Sequence, residues 1–116
     1  MPATTPSLTP AGFQVLLALA NGHAHGYAIM GFVERVSDGV IRLAPGTLYR
    51  TIARLVADDL VTEVETSDPG APHDARRRYY VLTDQGRRAA QEEAQMLARL
   101  TDAAADAGLL RARSRR

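Results

Sequence analysis

Four side chains in this 116-residue chain, Thr47, Arg50, Thr51 and Arg54, are spaced by three and four residues. On a helix that spacing gathers them on one face. The face carries hydroxyls and guanidiniums and no acid until Asp58. Guanidiniums form bidentate hydrogen bonds with phosphate and with the O6/N7 edge of guanine, so this face suits nucleic-acid recognition. Tyr49 adds a phenol that can reach a phosphate. A solvated helix face has the same composition, and the spacing alone leaves both readings open. The densest positive patch is Arg76-Arg77-Arg78. Strand alternation sends Arg77 and Tyr79 to one face and Arg78 and Tyr80 to the other, so all three arginines cannot meet one surface. Arg76 and Arg77 are the candidates for phosphate contact; pairing with Glu63 or Glu65 is the alternative.

Catalytic chemistry finds no support. His23 and His25 flank a predicted helix start and His73 lies in a predicted turn, so convergence on a metal is not expected. The chain has no cysteine, which excludes disulfides, thiolate metal sites and a thiol nucleophile. Ser7, Ser37, Ser67 and Ser114 fall in loops or tails, and no glycine-rich loop is shaped for phosphate. No enzyme activity and no cofactor are expected. Apolar residues make up 46% and charged residues 23%, the composition of one soluble globular domain. Net charge is only +1, so a case for nucleic acid rests on where the arginines sit. All fourteen basic residues are Arg, a bias that reads as genome composition. Residues 1–9 lack a basic segment followed by an apolar run, so no signal peptide is expected. No apolar stretch approaches the roughly 18 residues of a membrane span. No membrane partner is expected, and a cytoplasmic location follows.

The elements that must position these groups are legible as periodicities. Residues 1–8 read as a flexible arm. Thr9-Pro10 opens a first helix over about 10–21, with Phe13, Leu16, Leu17 and Ala20 at helical spacing and Asn21-Gly22 as a stop. A second helix runs over about 25–36, with Tyr27, Ile29, Met30, Val33 and Val36 as its apolar positions. Val40-Ile41-Arg42-Leu43 is short and bounded by turn signals, which predicts a strand. A third helix opens at Pro45-Gly46-Thr47 and continues to about residue 59, burying Leu48, Ile52, Leu55 and Val56. Alternating runs at 61–65 and 77–82 predict a β-hairpin with a long mobile turn over 66–76. Thr83 caps a last helix of about 24 residues, too long for a small domain to cover. Its apolar band includes Ala90, Ala94, Met96, Leu97, Leu100 and Ala104, and the small alanines allow another helix to approach closely. Residues 111–116 form a basic tail.

The order is helix, helix, short strand, helix, hairpin, long helix: mainly α with a small β-hairpin. Two helices leading into a third and then a hairpin make a winged helix-turn-helix, assigned to residues 9–83, with 84–110 as a dimerisation helix. Such a unit lays its third helix in the major groove and sets the hairpin on the backbone or in the minor groove. The expected partners are double-stranded DNA and a second copy, met through Met96, Leu97, Leu100 and Ala104. A winged-helix protein-interaction module without specific DNA binding is the alternative, favoured slightly by the near-neutral charge.

Three stretches, His25-Gly26-Tyr27-Ala28-Ile29, Pro45-Gly46-Thr47-Leu48-Tyr49-Arg50 and Arg78-Tyr79-Tyr80-Val81-Leu82-Thr83-Asp84-Gln85-Gly86-Arg87, resemble the PadR family of bacterial transcriptional regulators. The resemblance covers about residues 8–100. It implies a winged-helix regulator, usually a repressor released by a ligand, dimerising through its C-terminal helix in the manner of the short subfamily. It further implies DNA contact by Tyr49, Arg50 and the basic wing residues, and a small aromatic effector between subunits. Two departures stand out. Ala44 replaces the usual Ser or Asn before Pro-Gly-Thr, which removes a cap hydrogen bond worth about 1 kcal/mol. Asp59 stands where glycine is usual, so the third helix is expected to end differently. The chain also has no tryptophan to stack on a drug, leaving Phe13 or Met96 to line a smaller pocket.

Overall fold

Side-chain caps and prolines set where the helices begin in a computed structural model that describes residues 8–67 and 76–111, with 65–67 and 76–77 in their backbone only. The arm over 1–7, the wing tip over 68–75 and the tail over 112–116 lie outside the described residues. Thr9 accepts a hydrogen bond from the Gly12 amide at 3.0 Å, and Pro10 takes the first position of α1 (Pro10–Ala18). His25 closes the short strand β1 (Ala24–His25) and caps α2 (Gly26–Val36), its Nδ1 accepting from the Ala28 amide at 3.2 Å. Helix α3 (Pro45–Ala57) begins after Ala44, which gives no side-chain cap. The hairpin strands are β2 (Val61–Ser67) and β3 (Arg76–Leu82), and α4 (Asp84–Asp106) follows under the Thr83 cap.

The core forms where α1, α2 and α3 turn their apolar stripes together and the hairpin closes one side. Val15 and Leu16 of α1, Ile29 of α2 and Leu48 of α3 are fully buried. Leu19, Ile52, Leu55, Leu60, Val61, Tyr80 and Ala89 complete the cluster. Each fully buried aliphatic side chain contributes about 1.5–3 kcal/mol. Burial also raises the pKa of the Tyr80 phenol, helped by the Glu63 carboxylate and Tyr49 and opposed by Arg78. Of the apolar positions expected in α2, Ile29 and Val33 are buried and Met30 is half-buried, whereas Tyr27 and Val36 are exposed.

The sheet differs from expectation in its third strand. Its order is β1-β3-β2, with Ala24 opposite Tyr80 and His25 opposite Tyr79. Residues 40–43 form no strand. Their backbone is held by the end of α2: the Val40 amide donates to the Ser37 carbonyl at 3.1 Å, and the Ile41 amide to Ser37 Oγ at 2.9 Å. What reads as a short strand bounded by turn signals is a tethered linker with Ile41 and Leu43 half-buried and Val40 and Arg42 exposed. The hairpin strands also run further than expected, taking Thr66, Ser67 and Arg76 into the ladder.

One junction ties α3, the wing and α4. Asp59 adopts a left-handed φ of 63°, Leu60 donates back to the Leu55 carbonyl at 2.9 Å, and Asp59 to the Val56 carbonyl at 3.0 Å. This is the Schellman ending usually made by glycine, and Asp is among the few residues that tolerate it. The expectation of a different helix end is therefore corrected: Asp59 takes glycine's conformation. Thr83 then binds twice across the junction, its hydroxyl donating to the Asp59 carbonyl at 2.7 Å and its amide to the Leu60 carbonyl at 3.1 Å. The same hydroxyl accepts from the Gly86 amide at 2.9 Å. Gly86 presses against the Leu60 carbonyl so closely that a β-carbon would collide with it. Gly86→Ala is expected to destabilise the fold by about 1–3 kcal/mol by overpacking, although Ala is the better helix former. Gly31 in α2 is exposed with nothing near it, and Gly31→Ala is expected to stabilise by about 1 kcal/mol. Thermal unfolding of the two variants should show opposite signs; a shared sign would remove the special role of the junction.

Candidate nucleic-acid interface

Burying Leu48, Ile52 and Leu55 decides which side of α3 faces water. The line opposite that stripe runs through Gly46, Arg50, Ala53 and Ala57, all exposed. Small residues on either side of Arg50 leave its guanidinium as the most prominent group on the line. Its nearest polar contact is Thr47, with Nη2 donating to Oγ1 at 3.4 Å. Arg54 is also exposed and lies 3.8 Å from the Asp58 carboxylate. A pair this open to solvent contributes about 0–1 kcal/mol, so Arg54 can exchange it for a phosphate at little cost.

The expected face is therefore brought together, but rotated. Arg50 and Arg54 stand out, whereas Thr47 and Thr51 are half-buried on the flank toward α1. Sequence reasoning missed Gly46 and Ala53, whose value lies in being small enough for close approach. The helical wheel, centred on the buried stripe rather than on the polar residues, contains that signal. The start of α3 has no acid in its first turn and no side-chain cap from Ala44, so nothing from either source offsets the positive end of the helix dipole there.

Tyr49 occupies the other flank. Its ring lies against the first residue of α2, where a β-carbon on Gly26 would strike the phenol oxygen. Gly26 is buried and Tyr49 is 47% exposed. This packing fixes the phenol beside the start of α2, next to Tyr27, which is 76% exposed. Sequence reasoning assigned Tyr27 to the core and so missed it as a surface aromatic at this corner. The histidines stand nearby: His23 and His25 approach Tyr79 edge-on, with ring centroids 5.2 and 5.6 Å away. His73 lies outside the described residues.

At the wing, Arg78 Nε pairs with Glu63 Oε2 at 3.1 Å. The pairing considered for this strand end is thus realised by Arg78. Arg76 and Arg77 take their places in the β3 backbone opposite Ser67 and Thr66, and their side chains lie outside the described residues. In α4, Arg87 donates to the Ala20 carbonyl at 3.3 Å and Ala89 is buried, so its first turns pack on the domain. Beyond them Leu97, Leu100, Leu109 and Leu110 are exposed, with Met96 and Ala104 half-exposed. No helix among the described residues is long and apolar enough to cross a membrane. Phe13 and Met96 line neither the cleft between α1 and α3 nor the apolar notch between α1 and α2.

Comparison with known proteins places this geometry. A Clostridium difficile PadR family transcription regulator superposes with a TM-score of 0.69 at 19% identity, covering 84% of this chain and 97% of that one. Bacillus subtilis PadR, solved in complex with operator DNA, gives a TM-score of 0.62 at 19% identity over 72% of this chain and 45% of that one. These likenesses establish the winged-helix fold. In sequence, the chain is 44% identical over 87 residues to a Streptomyces fradiae protein described only as an uncharacterized 37.1 kDa protein in a transposon. That match takes in 75% of this chain but only 23% of the relative's length. The model of the transcriptional regulator PadR-like family matches residues 15–92, well over half of the sequence, and the chain belongs to that family.

Proposed function

We propose that this chain is a sequence-specific DNA-binding regulator of transcription that grips its operator as a homodimer, with α3 in the major groove. The observation that carries this reading is the exposed line Gly46-Arg50-Ala53-Ala57, with Arg54 beside it and Tyr49 fixed on its flank. An arginine with small neighbours can reach a base edge, and Arg to guanine is the commonest specific contact. In this reading Arg50 reads a base, while Arg54, Thr47, Thr51 and Tyr49 serve the flanking phosphates. Arg76 and Arg77 on the wing hold the backbone. The solved complex of Bacillus subtilis PadR with operator DNA supports the assignment by shared fold.

The dimer is assigned to α4. At about 1.5 Å per residue its 23 residues span about 35 Å, and only the first turns pack on their own domain. Leu97 and Leu100, with Met96 and Ala104 alongside, are the proposed contact between copies. Residues 9–83 act as the reading unit and 84–110 as the coupling element. Repression, relieved by a small-molecule effector, is the regulatory mode the family membership favours.

Arg50→Ala should weaken operator binding by about thirtyfold or more, because a homodimer loses one bidentate base contact of about 1–3 kcal/mol from each copy. Light scattering should show its dimer intact, with the operator taken from a random-sequence selection. Unchanged affinity and sequence preference would place the reading surface elsewhere. Leu97→Glu combined with Leu100→Glu should give monomers by light scattering with the helical circular dichroism preserved. A persisting dimer would move the interface off α4.

A further inference from the structure

Asn21 is the only asparagine of the chain, and Gly22 follows it. The pair forms the turn between α1 and β1, where both residues are exposed. Asparagine is thermolabile, because the next backbone nitrogen can attack its side-chain amide. Glycine in the following position removes the β-carbon that would hinder this approach. Gly22 has a φ of 141°, and among the described residues nothing lies within 4 Å of where its β-carbon would be. One contact restrains the attacking nitrogen, a hydrogen bond to the Leu19 carbonyl whose 3.2 Å is at the long end of the usual range. In an exposed turn such a bond opens at little cost.

A second dipeptide can close the same ring, with loss of water, and its surroundings are the opposite. Asp38-Gly39 ends α2, with Asp38 at a φ of 57° and Gly39 at 82°. The Gly39 amide donates to the Glu34 carbonyl at 2.8 Å. Its neighbours are bound as well, the Asp38 amide to the Arg35 carbonyl and the Val40 amide to the Ser37 carbonyl, each at 3.1 Å. Consecutive bonds thus hold the nitrogen that would attack. Residue chemistry offers both sites, and the hydrogen bonding selects Asn21.

We infer that Asn21-Gly22 is a self-modifying site that converts a neutral turn into an anionic one. The Gly22 nitrogen bonds to the side-chain carbonyl carbon of Asn21. The side-chain nitrogen leaves as ammonia, taking the Gly22 amide proton, and a cyclic imide remains. Water then opens the imide at either carbonyl, giving Asp on the original main chain or isoAsp with one more main-chain carbon. The new carboxylate lies next to Ala20, whose carbonyl accepts from the Arg87 guanidinium at 3.3 Å, so it competes for the tie between α1 and α4. The longer main chain of isoAsp leads directly into β1, a two-residue strand paired with Tyr79 and Tyr80 and ending in the cap of α2. The site is independent of the DNA-binding reading.

The full-length chain, held at neutral pH and physiological temperature, is sampled by peptide mapping beside synthetic peptides of residues 16–28 and 33–45. Asp and isoAsp are expected at residue 21 of the folded chain, at a rate within about tenfold of the first peptide. Residue 38 should isomerise at least about tenfold more slowly than in the second peptide. Asn21→Gln, which would have to close a larger ring, should stay unmodified with its circular dichroism unchanged. In the isoAsp fraction, separated by ion exchange, amide exchange in β1 should be about tenfold faster than in the unmodified chain. Asn21→Asp should shift the Arg87 Nε–H resonance. A folded chain that keeps Asn21 intact while the peptide reacts would overturn the site, as would equal protection of residues 21 and 38. Unchanged exchange in β1 would overturn the link to the sheet, and an unmoved Arg87 resonance the competition for its guanidinium.

Discussion

The rest of the structure depends on one close contact, that of Gly86 with the Leu60 carbonyl. Around it, Thr83 joins three elements by hydrogen bonds to Asp59, Leu60 and Gly86. Leu60 follows the last turn of α3, Val61 and Leu82 are the paired feet of the wing, and Asp84 begins α4. A β-carbon at residue 86 would push α4 away from this junction and with it the base of the hairpin. The left-handed turn at Asp59 is part of the same constraint, since it aims the chain from α3 into β2. Helix α3, the wing and α4 therefore meet at one point.

A second glycine does comparable work at the opposite end of α3. Gly26 leaves room for the Tyr49 ring, which locks the start of α2 against α3. With both ends pinned, α3 presents Arg50 in one orientation relative to the axis of α4. For a dimer built on α4, that rigidity fixes the distance between two reading helices, and half-site spacing on DNA becomes a property of the fold. Preorganisation of this kind favours specificity because little ordering remains to be done on binding.

Much of this was legible in the residues. Thr9-Pro10, Pro45 and Thr83 marked three helix starts, because side-chain caps and a proline at the first helical position are local chemistry written in adjacent residues. The stripe Leu48, Ile52 and Leu55 oriented α3, and the arginines on its outer side followed. What failed depended on distant partners. Residues 40–43 are short, β-branched and bounded by turn signals, but Ser37 claims their backbone, while the pairing edge of β3 goes to Ala24 and His25, too short to show a period. Tyr27 scored as apolar, yet its burial depends on which neighbours face it, and none do.

The central claim is that α3 reads DNA sequence while arginines neutralise phosphates. Fluorescence anisotropy tests it directly, using the purified protein and DNA from upstream of its own gene. The titration is run at two salt concentrations with excess unrelated competitor. Tight binding that survives competitor and falls with salt is expected, with a log–log slope of about −0.9 for each phosphate neutralised. Absence of binding even at low salt would contradict it and turn attention to a protein partner for the same helix face.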